Sequence, residues 1–162
     1  MSFFGCPCYL KVFAKLMVNW KTLVLAIFVF IGSNALFSQN KFDGYWSGWI
    51  TQVPTGIADR YYFSFEAETQ GTLISGKTVI RIEDEMEIFG EMEFTGTWDG
   101  NQFKFIESQI TNERIYNFAY WCKKSIQLTP VLENNRWVLK GSWNSDRCPG
   151  TGEIFLERPN PL

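Results

Sequence analysis

Carboxylates are the main candidates for a general acid or base in this sequence, because its 162 residues include no histidine. Without histidine, Ser-His-Asp and Cys-His nucleophile systems and most zinc catalysis are excluded. Carboxylate chemistry remains, and a glycosidase-like pair of acids is the arrangement to consider. The densest acidic run, Glu83 to Glu93, falls at a hairpin turn and on the outward face of a strand. We therefore predict a solvated surface there, no catalytic residue, no metal site and no cofactor, and we expect that the protein is not an enzyme.

Glu107 differs from the other carboxylates because it shares the alternation phase of Phe103 and Phe105. Residues two apart in a strand lie on the same face, so this carboxylate is expected to point inward with the two rings. An inward carboxylate is either a group that selects a ligand or a residue at the end of a strand, and the sequence leaves both open.

Aromatic residues give the strongest functional indication, since Phe, Trp and Tyr make up 17% of the chain. Small-molecule sites are concave and are lined mainly by apolar and aromatic side chains with few polar groups. We predict a ligand-binding cavity lined by one set of inward residues: Tyr61, Phe63, Trp98, Phe103, Glu107 and Trp143. Packing of the same rings in a filled core is the alternative explanation.

A second aromatic cluster lies within six residues beside Cys122 and comprises Tyr116, Phe118, Tyr120 and Trp121. Residues this close together in a strand or loop do not all point into one core. Some of these rings are therefore expected at the surface. An exposed aromatic platform of this kind stacks well on sugar rings, which favours a carbohydrate-binding function.

Two-residue periodicity predicts that these side chains are carried on β-strands. From Arg60 to Gln70 the odd positions are mostly apolar, and from Met86 to Trp98 the even positions are apolar or glycine. Six further segments complete eight candidate strands: residues 43–53, 73–82, 102–110, 120–129, 136–143 and 151–158. Turn residues, including Asp99-Gly100-Asn101 and Pro130, separate them. No segment has a sustained 3.6-residue apolar period, so the protein is predicted to be all-β.

Strands that each have one apolar face must close on themselves or pack on a second sheet. We expect a single antiparallel up-and-down eight-stranded barrel, with a β-sandwich as the alternative. Closure removes exposed strand edges, and an eight-stranded barrel has an interior that can hold one small ligand.

A short pattern places an apolar residue, Gly and Trp at alternate positions, and it occurs at Phe42–Trp46, Phe94–Trp98 and Leu139–Trp143. Residues 74–78 are a weaker copy. The three marked positions share one face of a strand. Glycine at the middle position is expected to let a neighbouring backbone or ring come close.

The first of these units, Phe42-Asp43-Gly44-Tyr45-Trp46, resembles the Gly-x-Trp opening of lipocalins. The later units are similar to those of the avidin branch of the same calycin superfamily of barrels. The resemblance implies that Trp46 lies at the barrel floor and that Arg158, near the last strand, packs across it. It covers the five residues Phe42–Trp46 and the last strand well, and the middle of the chain only as a strand count. Only four residues follow Arg158, so the C-terminal helix typical of lipocalins is not expected.

The N-terminal residues 1–38 have the composition of a secretory signal peptide. Lys21 precedes an unbroken apolar run at residues 23–31, and Ser38 is the small residue at the expected cleavage site. This run is too short to span a bilayer, so no stable membrane insertion is expected after cleavage. An uncleaved N-terminal anchor is the alternative. Met17 opens a signal of ordinary length by itself, and a start there would remove the Cys6-Pro-Cys8 sequence.

Removing the signal leaves residues 39–162 as one domain with 12 basic and 17 acidic residues. Nucleic acids and anionic membranes attract basic surfaces, so neither is expected as a partner. Cys122 and Cys148 would meet an oxidising compartment after export, and we expect them to form a disulfide.

These features together predict an exported, periplasmic or extracellular, lipocalin-like barrel that binds a small apolar or amphipathic ligand. One alternative is a carbohydrate- or surface-binding module that uses exposed aromatic residues. Another is a structural or interaction domain without a ligand. The expected partner is a small molecule or a glycan, and the sequence sets neither its identity nor the oligomeric state.

Overall fold

Eight antiparallel strands form a closed barrel in the computed structural model, which describes residues 41–159. The strands are β1 (Gly44–Thr51), β2 (Arg60–Gln70), β3 (Leu73–Ile82), β4 (Glu85–Trp98), β5 (Phe103–Arg114), β6 (Ser125–Glu133), β7 (Arg136–Asn144) and β8 (Thr151–Glu157). Each strand pairs with the next one along the chain, and β8 pairs with β1 to close the sheet. The predicted all-β, up-and-down barrel is therefore confirmed, and the two-sheet sandwich is excluded.

The predicted signal peptide, residues 1–38, lies outside the described residues, as do the alternative start at Met17 and the Cys6-Pro-Cys8 sequence. Among residues 41–159, no helix has the length and apolar character needed to cross a membrane.

The alternation of the sequence decides which side chains lie inside the barrel. In β2, Tyr61, Phe63 and Phe65 are at most 2% exposed, whereas Glu66 and Glu68 face solvent. Because strand side chains alternate between two faces, a one-residue shift in register would bury these carboxylates. The apolar pattern therefore fixes the register of the β2–β3 and β1–β2 pairs.

Strand β6 differs from the predicted segment 120–129, since it begins at Ser125 and continues through Pro130 to Glu133. Pro130 was expected to end this strand, but it lies opposite Leu139 of β7. Strand β6 pairs with β5 only as far as Leu128, so Pro130 has a strand on one side alone. Proline is compatible with such an edge position, where a missing N–H breaks no second ladder.

The two ends of the barrel are built differently. One end carries the turns at residues 71–72, 99–102 and 134–135, together with the first and last described residues; we call it the turn end. The opposite end carries the loops at residues 52–59, 83–84, 115–124 and 145–150. Cys122 and Cys148 form a disulfide between the last two of these loops, as predicted, and we call this the disulfide end.

The β4–β5 turn shows how the turn end is ordered. The carboxylate of Asp99 accepts hydrogen bonds from the backbone N–H groups of Asn101 and Gln102 and from the ammonium of Lys104. The bond from Gln102, followed by that from Lys104, holds the pKa of Asp99 well below its usual range. A carboxyl with a lowered folded-state pKa stabilises the turn above its unfolded pKa, and this contribution is lost as the pH falls.

Aromatic rings fill the interior toward the turn end. The ring of Phe65 lies 5.9 Å from the rings of Phe94, Phe103 and Phe105. The ring of Phe42 lies 4.8 Å from that of Phe103 and packs against it at the turn end. All five side chains are at most 2% exposed. The interior here is a packed core of phenylalanine rings, with edge and tilted contacts that aromatic quadrupoles favour.

Glycines allow neighbouring strands to approach where the sheet coils. A Cβ atom at Gly76 or Gly141 would overlap the backbone carbonyl of Glu66 or Gln127 on the next strand. A Cβ atom at Gly96 would lie 2.5 Å from the Cβ of Phe105. The close approach predicted for the glycines of the repeated pattern is confirmed at these positions. Gly44 differs, because it has open space around it and a positive φ of 92°.

Replacing Gly141 with alanine tests this close approach. The variant G141A is expected to unfold at lower denaturant, with a loss of about 1–3 kcal/mol, because the new methyl group meets backbone that cannot rotate away. The matched control is S142A, an exposed neighbour on the same strand. Urea unfolding of both variants makes the comparison; equal midpoints would show that the strands separate easily and that the glycine is not required.

Candidate functional site

A cavity of about 320 Å³ opens at the disulfide end of the barrel; we call it the mouth cavity. Gln52 and Ile57 of the β1–β2 loop form one side, and residues 118–122 of the β5–β6 loop form another. Tyr61 and Ile80, both buried, contribute from strands β2 and β3. Barrel mouths are common positions for small-molecule sites, and this volume lies near the lower limit for such sites.

Trp121 forms part of the wall of the mouth cavity. Its indole N–H donates a hydrogen bond to the backbone carbonyl of Phe89 at 2.8 Å, and its side chain is only 8% exposed. Gly90 provides the space, since a Cβ atom there would lie 2.8 Å from the indole ring. The ring meets Tyr61 edge-on, with 6.2 Å between centroids. The β5–β6 loop therefore places one aromatic ring inside the barrel.

Tyr61 packs against this ring and is ordered by the β1–β2 loop. Its hydroxyl accepts a hydrogen bond from the backbone N–H of Ala58 at 2.9 Å. The phenolic hydrogen remains able to donate to an acceptor, because a hydroxyl both donates and accepts. Tyr61 and Trp121 together give the cavity two aromatic surfaces and one directed polar group.

A buried ion pair lies beneath the mouth cavity. The Lys124 ammonium lies 3.3 Å from Oε2 of Glu107, and the two side chains are 3% and 0% exposed. Thr78 donates to the other carboxylate oxygen at 2.7 Å, and the Lys124 backbone N–H donates to Oε2 at 2.9 Å. The same ammonium donates to the Cys122 carbonyl at 3.0 Å. The pair is thus neutral as a unit, with its charges held by hydrogen bonds that offset their desolvation.

The disulfide fixes the wall of the mouth cavity. Cys122 and Cys148, with Cα atoms 6.1 Å apart, both line it and join the β5–β6 and β7–β8 loops. Their sequence separation is 26 residues. In the chain-entropy model, a crosslink across a loop of this length stabilises the folded state by about 3–4 kcal/mol. Since Trp121 and Lys124 flank Cys122, the crosslink also restrains the loop that carries them.

The residues predicted to line one ligand cavity are distributed along the barrel. Tyr61 lines the mouth cavity, whereas Phe63 is fully buried in the core. Trp98 and Phe103 pack around Phe42 at the turn end, with ring centroids 4.9 and 4.8 Å from it. Trp143 is 2% exposed and donates to the Thr51 carbonyl at 2.8 Å. The structure therefore does not bring these residues together around a single space.

Glu107 lies inside the barrel, in phase with Phe103 and Phe105. Its two carboxylate oxygens are occupied by Thr78 and Lys124. Glu107 thus bonds to residues of the protein and does not line the mouth cavity, whereas its partner Lys124 does.

The structure separates the four residues of the second aromatic cluster. Phe118 and Tyr120 are 83% and 66% exposed at the rim of the mouth, whereas Trp121 is buried. Tyr116 stacks on Phe118 with 5.3 Å between ring centroids. The hydroxyl of Tyr116 donates to the Glu85 carboxylate, and this bond raises the pKa of Tyr116. The cluster thus provides a rim of exposed rings around the mouth and one ring within it.

Trp46 and Arg158 meet at the turn end. The guanidinium of Arg158 lies 4.8 Å above the Trp46 ring, within the range of a cation–π contact. The Trp46 indole N–H donates to the Phe42 carbonyl at 3.1 Å. This is the geometry that the Gly-x-Trp resemblance implies for the floor of the barrel.

Sequence reasoning missed Lys124 and Ile80. Ile80 lies in the predicted strand 73–82, but nothing marked it as a site residue. Lys124 shares the phase of Ile126 and Leu128, both inward in β6, so the alternation of that strand placed it inside. The signal available was a lysine at an inward position just before β6, together with an inward glutamate on the neighbouring strand β5.

Residues 41–159 thus form a small eight-stranded up-and-down β-barrel with a disulfide beside the cavity at one end. This strand number and topology are consistent with a calycin-type barrel. No protein-family model, curated protein or solved structure matches this chain. The finer resemblance to lipocalins and avidins therefore stays an inference from the Gly-x-Trp units and Arg158.

Removing one member of the buried pair tests its role beneath the mouth cavity. The variant K124M is expected to lose about 3–5 kcal/mol of stability, because it leaves the Glu107 carboxylate buried without a cation. The double variant K124M/E107Q is expected to recover much of this loss, since it removes the uncompensated charge. Guanidinium chloride unfolding at pH 7 measures both.

The matched control for this comparison is K123M, which removes the ammonium of the exposed neighbour. A surface change of this type is expected to alter stability by about 0.5 kcal/mol or less. Similar losses in K124M and K123M would show that the buried pair contributes no more than a surface contact.

Proposed function

We propose that this protein is an exported barrel that binds a small, uncharged amphipathic or apolar ligand at the mouth cavity. The observation that carries the proposal is the cavity of about 320 Å³ that Tyr61 and Trp121 help to line at the disulfide end, where the interior filled by phenylalanine rings stops. A ligand would enter the mouth rather than the centre of the barrel.

The walls of the mouth cavity support this class of ligand. Two aromatic faces and Ile80 offer apolar contact, while Tyr61 and Gln52 offer a few polar contacts. Such a mixture is typical of small-molecule sites, where polar groups orient an otherwise apolar body. The Lys124 charge is compensated by Glu107, so no charge on the ligand is required.

The disulfide supports export. Disulfides form and persist in oxidising compartments such as the periplasm and the extracellular space, and are rare in the cytosol. The Cys122–Cys148 bond therefore agrees with the signal peptide proposed for residues 1–38. Both observations favour a periplasmic or extracellular location.

A second candidate function is binding of a glycan at the rim. It is favoured by the exposure of Phe118 and Tyr120, which are 83% and 66% exposed beside the cavity. With Tyr116, which stacks on Phe118, these rings form an exposed apolar patch, and patches of this kind mark interaction surfaces. In this function the rings would stack on sugars outside the barrel, and the cavity would stay empty.

N-phenyl-1-naphthylamine, a neutral fluorescent amphipath, tests the mouth cavity. We expect the wild type to bind it with an increase in fluorescence, and A119W to bind it at least tenfold more weakly. Ala119 lines the cavity, so the larger side chain would fill it, while the backbone bond from Ala119 to Tyr116 remains available. A tenfold change corresponds to about 1.4 kcal/mol of binding free energy.

The matched control is I106W, which adds the same ring to an exposed position on the outer wall. Equal affinity of the probe for wild type, A119W and I106W would refute the mouth site. The variant F118A/Y120A separates the second function: loss of binding to cello- or chito-oligosaccharides in this variant, with no probe binding by the wild type, would assign the function to the rim.

A further inference from the structure

A second cavity, of about 440 Å³, lies at the turn end of the barrel; we call it the turn-end cavity. Phe42, Trp46 and Leu139 give it an apolar base, and all three are at most 2% exposed. Pro130 and the half-exposed Trp137 extend its walls. Its volume lies within the range of sites that bind small organic molecules.

Cations surround this apolar base. Lys41, Arg136 and Arg158 line the cavity, against one acidic residue, Glu157. The concentration of positive charge is unusual for this domain, in which acidic residues outnumber basic ones. A concave site lined by one sign of charge attracts ligands of the opposite sign.

Among the described residues, these three cations are not neutralised by ion pairs. Within residues 41–159, the ion pairs with nitrogen–oxygen distances up to 4.0 Å involve Arg60, Lys104, Lys124 and Lys140, and none involves a cation of the turn-end cavity. Their charges are therefore available to a ligand.

Aromatic rings and carbonyls hold two of the cations in place. The Arg158 guanidinium donates from Nη2 to the carbonyls of Lys41 and Asp43, at 2.8 and 3.1 Å, and lies over Trp46. The Lys41 ammonium lies 4.5 Å from the centroid of Trp137 and 5.4 Å from that of Trp98. Cation–π contacts restrain these groups but leave their positive charge uncompensated. Positioned cations are what a site for an anion requires, because little side-chain entropy is then lost on binding.

We propose that the turn-end cavity binds a small organic anion with an apolar body, of the class of aromatic or aliphatic carboxylates and sulfonates. The apolar body would contact Pro130 and the half-exposed Trp137 over the buried base of the cavity, and the anionic group would face Lys41, Arg136 and Arg158. The two parallel N–H donors of a guanidinium match the two oxygens of a carboxylate, and they can also bind two of the three oxygens of a sulfonate. This site is separate from the mouth cavity and does not depend on the function proposed there.

Two fluorescent probes that share one skeleton isolate the charge. N-phenyl-1-naphthylamine is neutral, and 8-anilino-1-naphthalenesulfonate carries the same rings with a sulfonate. In the A119W variant, the tryptophan fills the mouth cavity. We expect this variant to bind the sulfonate, and to bind the neutral probe at least tenfold more weakly than the sulfonate. The affinity for the sulfonate is expected to fall with added salt, as contacts between exposed charges do.

The variant K41Q/R136Q is the direct test of the residues. It is expected to weaken sulfonate binding about tenfold, the effect of losing about 1.4 kcal/mol of binding free energy. Arg158 is left intact because it also holds the Lys41 and Asp43 carbonyls. The matched control R147Q removes an exposed arginine from the loop at the disulfide end and is expected to leave the affinity unchanged. Near-ultraviolet circular dichroism and unfolding midpoints verify that the variants are folded. The single variant R136Q tests the contribution of Arg136 to sulfonate binding by itself, and Arg136 is exposed, so this change is not expected to affect folding.

Equal sulfonate affinities in K41Q/R136Q, R136Q, R147Q and the parent chain would overturn the proposal. Sedimentation with phosphatidylglycerol and phosphatidylcholine vesicles supplies the other outcome. If the chain bound only the anionic vesicles, if K41Q/R136Q abolished this, and if the free sulfonate did not bind, the cations would belong to a membrane-contact surface and the small-anion site would be refuted.

Discussion

The interior volume of an eight-stranded barrel is the constraint on which the rest of this structure depends. A barrel of this size has a lumen only wide enough for side chains to fill or for one small ligand. Here Phe65, Phe94, Phe103 and Phe105 fill it toward the turn end, with Phe42 below them. Ligand-sized cavities consequently lie at the two ends, where the packed core stops and the loops and chain ends begin.

The two ends differ in whether their cations are paired with carboxylates. At the disulfide end, the Lys124 ammonium is paired with the Glu107 carboxylate inside the barrel, and the cavity above it is close to neutral. At the turn end, Lys41 and Arg158 rest on aromatic rings and keep their charges. We therefore propose an uncharged amphipath as the ligand at one end and an organic anion as the ligand at the other. The disulfide crosslinks the β5–β6 and β7–β8 loops, which form part of the wall of the mouth cavity.

Much of the fold was predictable, because period-two alternation reports directly on which residues share a strand face. It gave the all-β class, the eight strands and the inward position of Glu107. The glycine at alternate spacing from Trp likewise indicated close approach of strands, as at Gly96 and Gly141. The start of β6 was wrong because the aromatic-rich residues 120–124 have strand-like composition, whereas the chain there forms a loop that carries Trp121 into the mouth.

The site was less predictable, since alternation assigns a residue to the interior but not to a height along the barrel axis. Tyr61, Trp98 and Phe103 are all inward or partly buried, yet Tyr61 lies at one end and the other two at the opposite end. Height depends on the pairing register of all eight strands, including the bulges between β4 and β5. The cation–π contacts of Lys41 depend in addition on where the β6–β7 hairpin places Trp137, a non-local relationship that no single segment contains.

Fluorine NMR of the chain labelled with 5-fluorotryptophan tests the central claim most directly, because tryptophans mark both ends of the barrel. Each resonance is assigned by replacing one tryptophan with phenylalanine. If N-phenyl-1-naphthylamine binds at the mouth cavity, its addition is expected to shift the Trp121 resonance and to leave those of Trp46 and Trp98 unchanged. A shift at Trp46 and Trp98 with no change at Trp121 would contradict it, since the neutral ligand would then bind at the turn end and the mouth would not be the binding site.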